Sequence, residues 1–180
     1  MSVVRFIGCI HLGHNSIARH RGWENAEEHD AFLIQEWNKV VNKRDTTYIV
    51  GDVTMEKPND YYKLDLLNGR KIVVLGNHDR HQNVKQLLQY VDGVAGAVDY
   101  KGFIITHVPI HPNEVQFYRG NIHAHIHHKN KLEEVIVNDK YLDEDSKPAP
   151  TLHKYFNVDA HLMGYQPKSI DELQSLNKSE

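Results

Sequence analysis

"KIVVLGNHDR", residues 71–80, is a β-branched apolar run that stops at a glycine and then releases Asn77, His78, Asp79 and Arg80 in succession. A short apolar run bounded by a small residue reads as a buried strand, so the polar quartet belongs to the edge where that strand ends. The chain has two earlier copies of this pattern. "TTYIVGD" (46–52) stops at Gly51-Asp52, and Val3 to Ile7 stops at Gly8. Between these two lies "NAEEHDAFLIQEWNKVVNK" (25–43), in which Asn25 and Glu28 form a capping box and Leu33, Trp37, Val40 and Val41 fall on one helical face. A shorter helix, from about Asn59 to Leu67, separates the second strand from the third. Alternation of strand and helix implies right-handed crossovers and a parallel sheet covered by helices. All three strands then discharge their polar residues at one edge, the edge where open α/β sheets bind ligands.

Outward from there the texture changes. After a helix in "HQNVKQLLQY" (81–90) come short strands with turns: "GVAGAVDYKG", "FIITH", "GNIHAHIHH" and "KYFNVDAHL". These predict a second, largely antiparallel sheet packed on the first: an α/β fold, a two-sheet β-sandwich flanked by helices in αββα layers, with residues 1–180 as a single domain. The acidic, proline-bearing stretch Val137 to Thr151 reads as a solvated loop, and Ser169 opens a short closing helix.

Composition narrows the function classes. The 180 residues are 40% apolar, enough for one sizeable core, and 21 Lys plus Arg stand against 24 Asp plus Glu. A net charge of −3 argues against a protein that coats nucleic acid or an anionic membrane, while a small phosphate-bearing substrate remains compatible. One cysteine permits no intrachain disulfide, and neither a leader nor an apolar run of roughly 20 residues is present, so the expected compartment is the cytoplasm. The anomaly is 14 histidines, more than packing alone requires.

Four clusters fall at strand ends: Cys9-x-His11, Gly51-Asp52, Gly76-Asn77-His78-Asp79, and His107 after "FIIT". A fifth, "HAHIH", places His123, His125 and His127 at alternating positions, which an extended segment would direct to one face. Imidazole and carboxylate together suit borderline or hard divalent ions. His20, His29, His81, His111, His128 and His153 fit no such place and read as surface, and His123 reads as near the site without being a ligand. His14 is a candidate to support the ligands from behind, and His161 follows the last strand toward the site.

The ordered set resembles the calcineurin-like metallophosphoesterase superfamily, whose pattern runs Asp-x-His, Gly-Asp, Gly-Asn-His-Asp or Glu, His, Gly-His-x-His. The match covers Val3 to His127, and "YFNVDAHLMGYQPKSIDEL" is similar to the tail of the small, uncapped bacterial and phage members. The resemblance implies that Asp52 bridges two metals, with His11 and His127 in site one and Asn77, His107 and His125 in site two. It implies one or two divalent transition ions (Mn, Zn, Fe or Ni) holding a hydroxide between them and clamping the phosphoryl oxygens. His78 would protonate the leaving oxygen, oriented by Asp79, and Arg80 would contact the non-bridging oxygens. The family's glycine before the last two histidines is Ala124 here.

Cys9 stands where the family has aspartate, and two readings of it stay open. As a thiolate ligand it keeps the charge but softens site one, favouring Zn or ferrous iron over Mn. As a small buried hydrophobe it leaves site one with fewer ligands. Two function classes follow: a hydrolase of phosphomonoesters or, in preference, of phosphodiesters of nucleotide or nucleic-acid type, working in an open groove, or a scaffold of the same fold whose metal site has decayed and which binds a protein partner.

Overall fold

The computed structural model describes residues 2–55, 58–127 and 154–176. The three N-terminal apolar runs are strands β1 (Val4–Ile7), β2 (Thr46–Val50) and β3 (Arg70–Val74), joined by β4 (Gly93–Ala95) in a parallel sheet of order β1-β2-β3-β4. Their register is continuous, since Ile7 faces Ile49 and Val50 faces Val74, so Gly8 leaves the sheet one residue below the level of Gly51 and Leu75. Consecutive side chains point to opposite faces of a strand. Ile7, Ile49 and Val73 therefore meet Leu33, Trp37, Tyr61, Leu64 and Leu87 of the helical layer, while Phe6, Val50 and Val74 face the second sheet.

The helical layer is largely as the sequence predicts. Asn25 caps α2 (Ala26–Val40), its side chain accepting the Glu28 N–H at 2.9 Å. The short helix before β3 is a 3-10 helix, Pro58–Leu66, and "HQNVKQLLQY" forms only a 3-10 turn and α3 (Val84–Leu87). The patterning gave no hint of α1 (Asn15–His20), whose six residues are too few for a periodic stripe. His14 caps it, accepting the Ile17 N–H on Nδ1.

The second sheet departs from expectation in its direction. Strands β5 (Val98–Tyr100) and β6 (Phe103–Ile105) pair antiparallel, but β7 (Gly120–His123) and β8 (Tyr155–Asn157) continue in parallel, so the sheet is mixed. The reason lies in the connections. The β6–β7 link carries α4 (Pro112–Val115) and the β7–β8 link runs over residues 124–154, and long crossovers bring strands back in parallel. "GVAGAVDYKG" is also shared between sheets, since β4 belongs to the first and β5 to the second.

Phe103, Ile105, Ile122 and Phe156 of the second sheet close on Phe6, Val50 and Val74, and Leu173 of α5 (Ile170–Leu176) packs into the same layer. Two sheets of four strands flanked by helices make this an α/β sandwich. The sheets are stitched at their shared edge, where the Gly8 N–H donates to Val158 O at 2.7 Å and the Ala160 N–H donates to Gly8 O at 2.9 Å. Gly8 has no room for a side chain, as a Cβ there would lie 2.6 Å from both the Ala124 Cβ and Val50 O. The stretch Val137 to Thr151, with His128 and His153, lies outside the described residues. No helix among the described residues is long and apolar enough to cross a membrane.

Candidate metal centre

The β1–β2 ladder does not stop at the strand ends. Cys9, His11 and Leu12 donate their N–H groups to the carbonyls of Gly51, Asp52 and Val53 at 2.8–3.0 Å, which holds the two post-strand segments side by side. These segments turn sharply. Cys9, His11, Asp52, His125 and His127 all have φ between 47° and 70°, five of the seven non-glycine residues in the left-handed region among those described. Such conformations cost of order 1–3 kcal/mol each and cluster where surrounding contacts impose them for function. They also correct the strand reading of "HAHIH": β7 ends at His123, so turns rather than strand alternation place His125 and His127.

Two groups of donors result. Cys9 Sγ and ring nitrogens of His11 and His127 lie within 4.8 Å of one another, and so do Cys9 Sγ, an Asp52 oxygen and a His107 ring nitrogen. Cys9 is common to both. It is fully buried, its sulfur accepts the His125 N–H at 3.3 Å, and it packs with Val50 and Ala124. Burial first, then the charges of Asp159 and Asp52, push its thiol pKa well up, so the protein alone does not favour a thiolate there. An ion would reverse that preference.

Hydrogen-bond logic fixes the lone pairs. His107 Nδ1 lies 2.9 Å from Val50 O, which can only accept, so Nδ1 carries the proton. Its Nε2 then faces Asn77 Oδ1 at 3.1 Å and Asp52 Oδ2 at 3.3 Å. Three lone-pair atoms aimed at one another repel unless a proton or a cation lies among them; burial lowers the His107 pKa, but the hydrogen bond and charge of Asp52, with the Val50 carbonyl and Asp79, together raise it. His11 is more telling. Both of its ring nitrogens are buried with no hydrogen-bond partner, Nε2 lies 3.9 Å from Asp52 Oδ2, and burial holds its pKa down to about 3. A neutral, buried imidazole without partners is costly unless something occupies its lone pair. The donor set of thiol, imidazole and carboxylate fits a divalent transition ion. Around this centre, the His125 ring stands 5.0 Å from that of His107, and the rings of His127 and His14 stand 5.7 and 6.0 Å from that of His11.

The Gly76–Arg80 turn closes the site from the side. Asn77 and Arg80 are exposed and His78 is half-buried, its ring 6.1 Å from that of His11 and its N–H donated to Asp52 Oδ1 at 3.0 Å. Asp79 points elsewhere than expected. Buried to 6% exposure, its Oδ2 accepts the N–H groups of Asp52 and Gly76 at 2.8 Å and its Oδ1 accepts that of Val53 at 3.0 Å. It ties the two loops together through their backbone. Gly76 allows this closeness, since a Cβ there would lie 2.7 Å from the Asp52 nitrogen.

Asp159 was missed in the sequence, and His29 was misplaced. Asp159, 1% exposed, receives His127 Nδ1 at 2.6 Å and Arg21 Nη2 at 3.0 Å. Its place in "NVDAHL", directly after a strand like Gly51-Asp52, was the available signal. His29, expected at the surface, is fully buried against Arg21, Trp23, Asp30 and Tyr165. His123 is fully buried in β7 beside Tyr155, and burial holds its pKa near 4. His161 turns its ring to Tyr165, while its N–H donates to Asp159.

The chain is 31% identical over 183 residues to the uncharacterized protein MJ1445 of Methanocaldococcus jannaschii, covering 98% of this chain and 92% of that one. It is 40% identical over 86 residues to the Gene 66 protein of Mycobacterium phage D29, a match spanning less than half of either chain. A crystal structure of a protein of unknown function from Aquifex aeolicus, AQ665, superposes over 98% of this chain and all of that one, with a TM-score of 0.69 at 23% identity, and so shares the fold. Residues 3–174 match the calcineurin-like phosphoesterase family. With that match running the length of both sheets and through every cluster of the site, the chain belongs to the calcineurin-like phosphoesterases, whose chemistry is metal-dependent hydrolysis of phosphoesters.

Proposed function

We propose that this protein hydrolyses phosphodiesters, of nucleotide or nucleic-acid type, at a centre held by Cys9, His11, Asp52, Asn77, His107, His125 and His127. The observation that carries the reading is the buried, partnerless His11 imidazole set among Cys9, Asp52 and His127. Divalent ions held there would supply Lewis acidity toward the phosphoryl oxygens. Asp52 Oδ2 belongs to the group with His107, 3.3 Å from its Nε2, and lies 3.9 Å from His11 Nε2 of the other group. His78 is held at the rim by its N–H bond to Asp52, and its ring delivers a proton to the departing alkoxide oxygen. Arg80, exposed two residues on, contacts the non-bridging oxygens. Cys9 acts as a ligand in this reading, which favours Zn or ferrous iron in the group it shares with His11 and His127.

The test is reconstitution of the purified chain with Mn, Zn or Fe(II), elemental analysis, and hydrolysis of a chromogenic phosphodiester beside the matching monoester. Bound metal with faster cleavage of the diester is the expected result. Metal bound with neither ester cleaved would favour a protein-binding scaffold, and no metal bound at all would remove the basis of the reading.

A further inference from the structure

Behind the metal centre runs a continuous line of polar contacts that no part of the proposed chemistry uses. Arg21, which follows α1 with its side chain 4% exposed, donates from Nη2 to Cys9 O at 2.8 Å and to Asp159 Oδ2 at 3.0 Å, and its Nη1 stands 3.2 Å from His29 Nε2. His29 Nδ1 meets Asp30 Oδ1 at 2.9 Å. Asp30 Oδ2 accepts the Gly13 N–H and Lys63 Nζ, both at 2.8 Å, and Lys63 also pairs with Asp60.

The direction of every bond is fixed by chemistry. Guanidinium only donates, so His29 Nε2 accepts and His29 Nδ1 donates to Asp30. Asp159 Oδ2 receives both Arg21 and His127, so His127 carries its proton on Nδ1 and keeps its Nε2 lone pair available. Carboxylates that orient a metal-ligating histidine in this way typically change metal affinity 10–100-fold when altered. Here the carboxylate is itself anchored by Arg21, and the same guanidinium grips the carbonyl of Cys9, the residue common to both donor groups.

We infer that Arg21 is a positioning residue for the metal centre: its guanidinium holds Asp159 against His127 Nδ1 and holds the Cys9 carbonyl, so that the α1–α2 layer sets the geometry of the Cys9, His11 and His127 donors. The metal-affinity half of this inference rests on the function proposed above, and the histidine half does not. Without Arg21 the Asp159 carboxylate keeps the His161 N–H on Oδ1 but loses the donor that holds Oδ2 against His127, and His127 samples both tautomers.

Arg21→Gln and Arg21→Lys are compared with the parent by two readouts. The first is 15N NMR of the imidazoles in the metal-free chain, with the His127 resonance assigned by His127→Gln. The second is Zn affinity by calorimetry. The parent is expected to show one Nδ1–H tautomer of His127. Arg21→Gln is expected to mix the tautomers and weaken Zn binding 10–100-fold, and Arg21→Lys, which keeps the charge but not the fork, to fall between. If the glutamine variant does not fold, the lysine variant decides alone, with about tenfold weaker Zn binding and a partly mixed tautomer expected. A His127 tautomer unchanged in either folded variant overturns the inference, including when Zn affinity falls, since the loss would then be one of general stability. If the parent binds no Zn but the tautomer shifts with Arg21, the positioning role stands and the metal reading fails.

Discussion

Asp79 offers the sharpest check on the structure, because sequence and geometry give it different work. Oriented toward His78 it would be a catalytic support, whereas the hydrogen bonds make it a clamp on the backbone of Asp52, Val53 and Gly76. Asp79→Ala leaves two buried N–H groups and one part-buried N–H group without their charged acceptor. Hydrogen bonds to charged groups contribute about 1.5–3 kcal/mol each, and relief of the buried carboxylate plus entry of water recovers a part, so the expected loss is about 3–6 kcal/mol. Asp79→Asn is milder for a geometrical reason. An amide oxygen at the Oδ2 position keeps the bonds from Asp52 and Gly76, while its NH2 meets the Val53 N–H donor to donor, a loss of about 1–3 kcal/mol. Urea unfolding followed by circular dichroism reads both variants as a fall in midpoint at constant m-value, and the thermal midpoint falls by roughly 2–4 °C per kcal/mol for a chain of this size. Equal losses for the two variants, or losses under about 1 kcal/mol, would refute the clamp. Lower turnover for Asp79→Asn at unchanged stability would return Asp79 to the side of His78.

Cys9→Asp is expected to strengthen Mn binding and raise Mn-supported diesterase activity, and Cys9→Ser to weaken Zn binding; metal titrations with activity measured on the same samples check both, and indifference of all affinities would make Cys9 a packing residue only. His78→Ala is expected to lower turnover by about 10² to 10⁴ at unchanged metal content, with a smaller loss for a nitrophenolate leaving group than for an alkoxide. Metal-free protein should lose stability as pH falls below about 6.5, because the unfolded chain protonates His11 and His123 there while burial keeps both neutral in the folded chain down to about 3 and about 4. His123→Phe removes one of those protons, so the slope of stability against pH between about 6 and 4.5 should shrink by roughly 1.4 kcal/mol per pH unit, measured by urea unfolding across that range.

The strands, their common edge and the helix capped by Asn25 were legible because their signals are local: an apolar run, a small residue that stops it, a side-chain oxygen three residues before the N–H it caps. The clusters at Cys9, Asp52, Asn77 and His107 were legible for the same reason, since each sits within two residues of the end of its run. Tertiary structure decided what no local pattern carries. The second sheet is mixed because the length of its connections, not the texture of its strands, sets their direction. Cys9 is packed in the core with its sulfur within reach of both donor groups, because a residue just after a central strand borders the sheet interior on one side and the site on the other. Asp79 was assigned to its chain neighbour, but a carboxylate follows unsatisfied N–H groups, and those of Asp52 and Val53 come from another strand. Arg21 and Asp159 are 138 residues apart, and neither stands in a pattern that marks the other. A buried guanidinium and a buried carboxylate are tolerated only together, and that requirement is met by packing two sheets and a helix around one point, which spacing along the chain does not record.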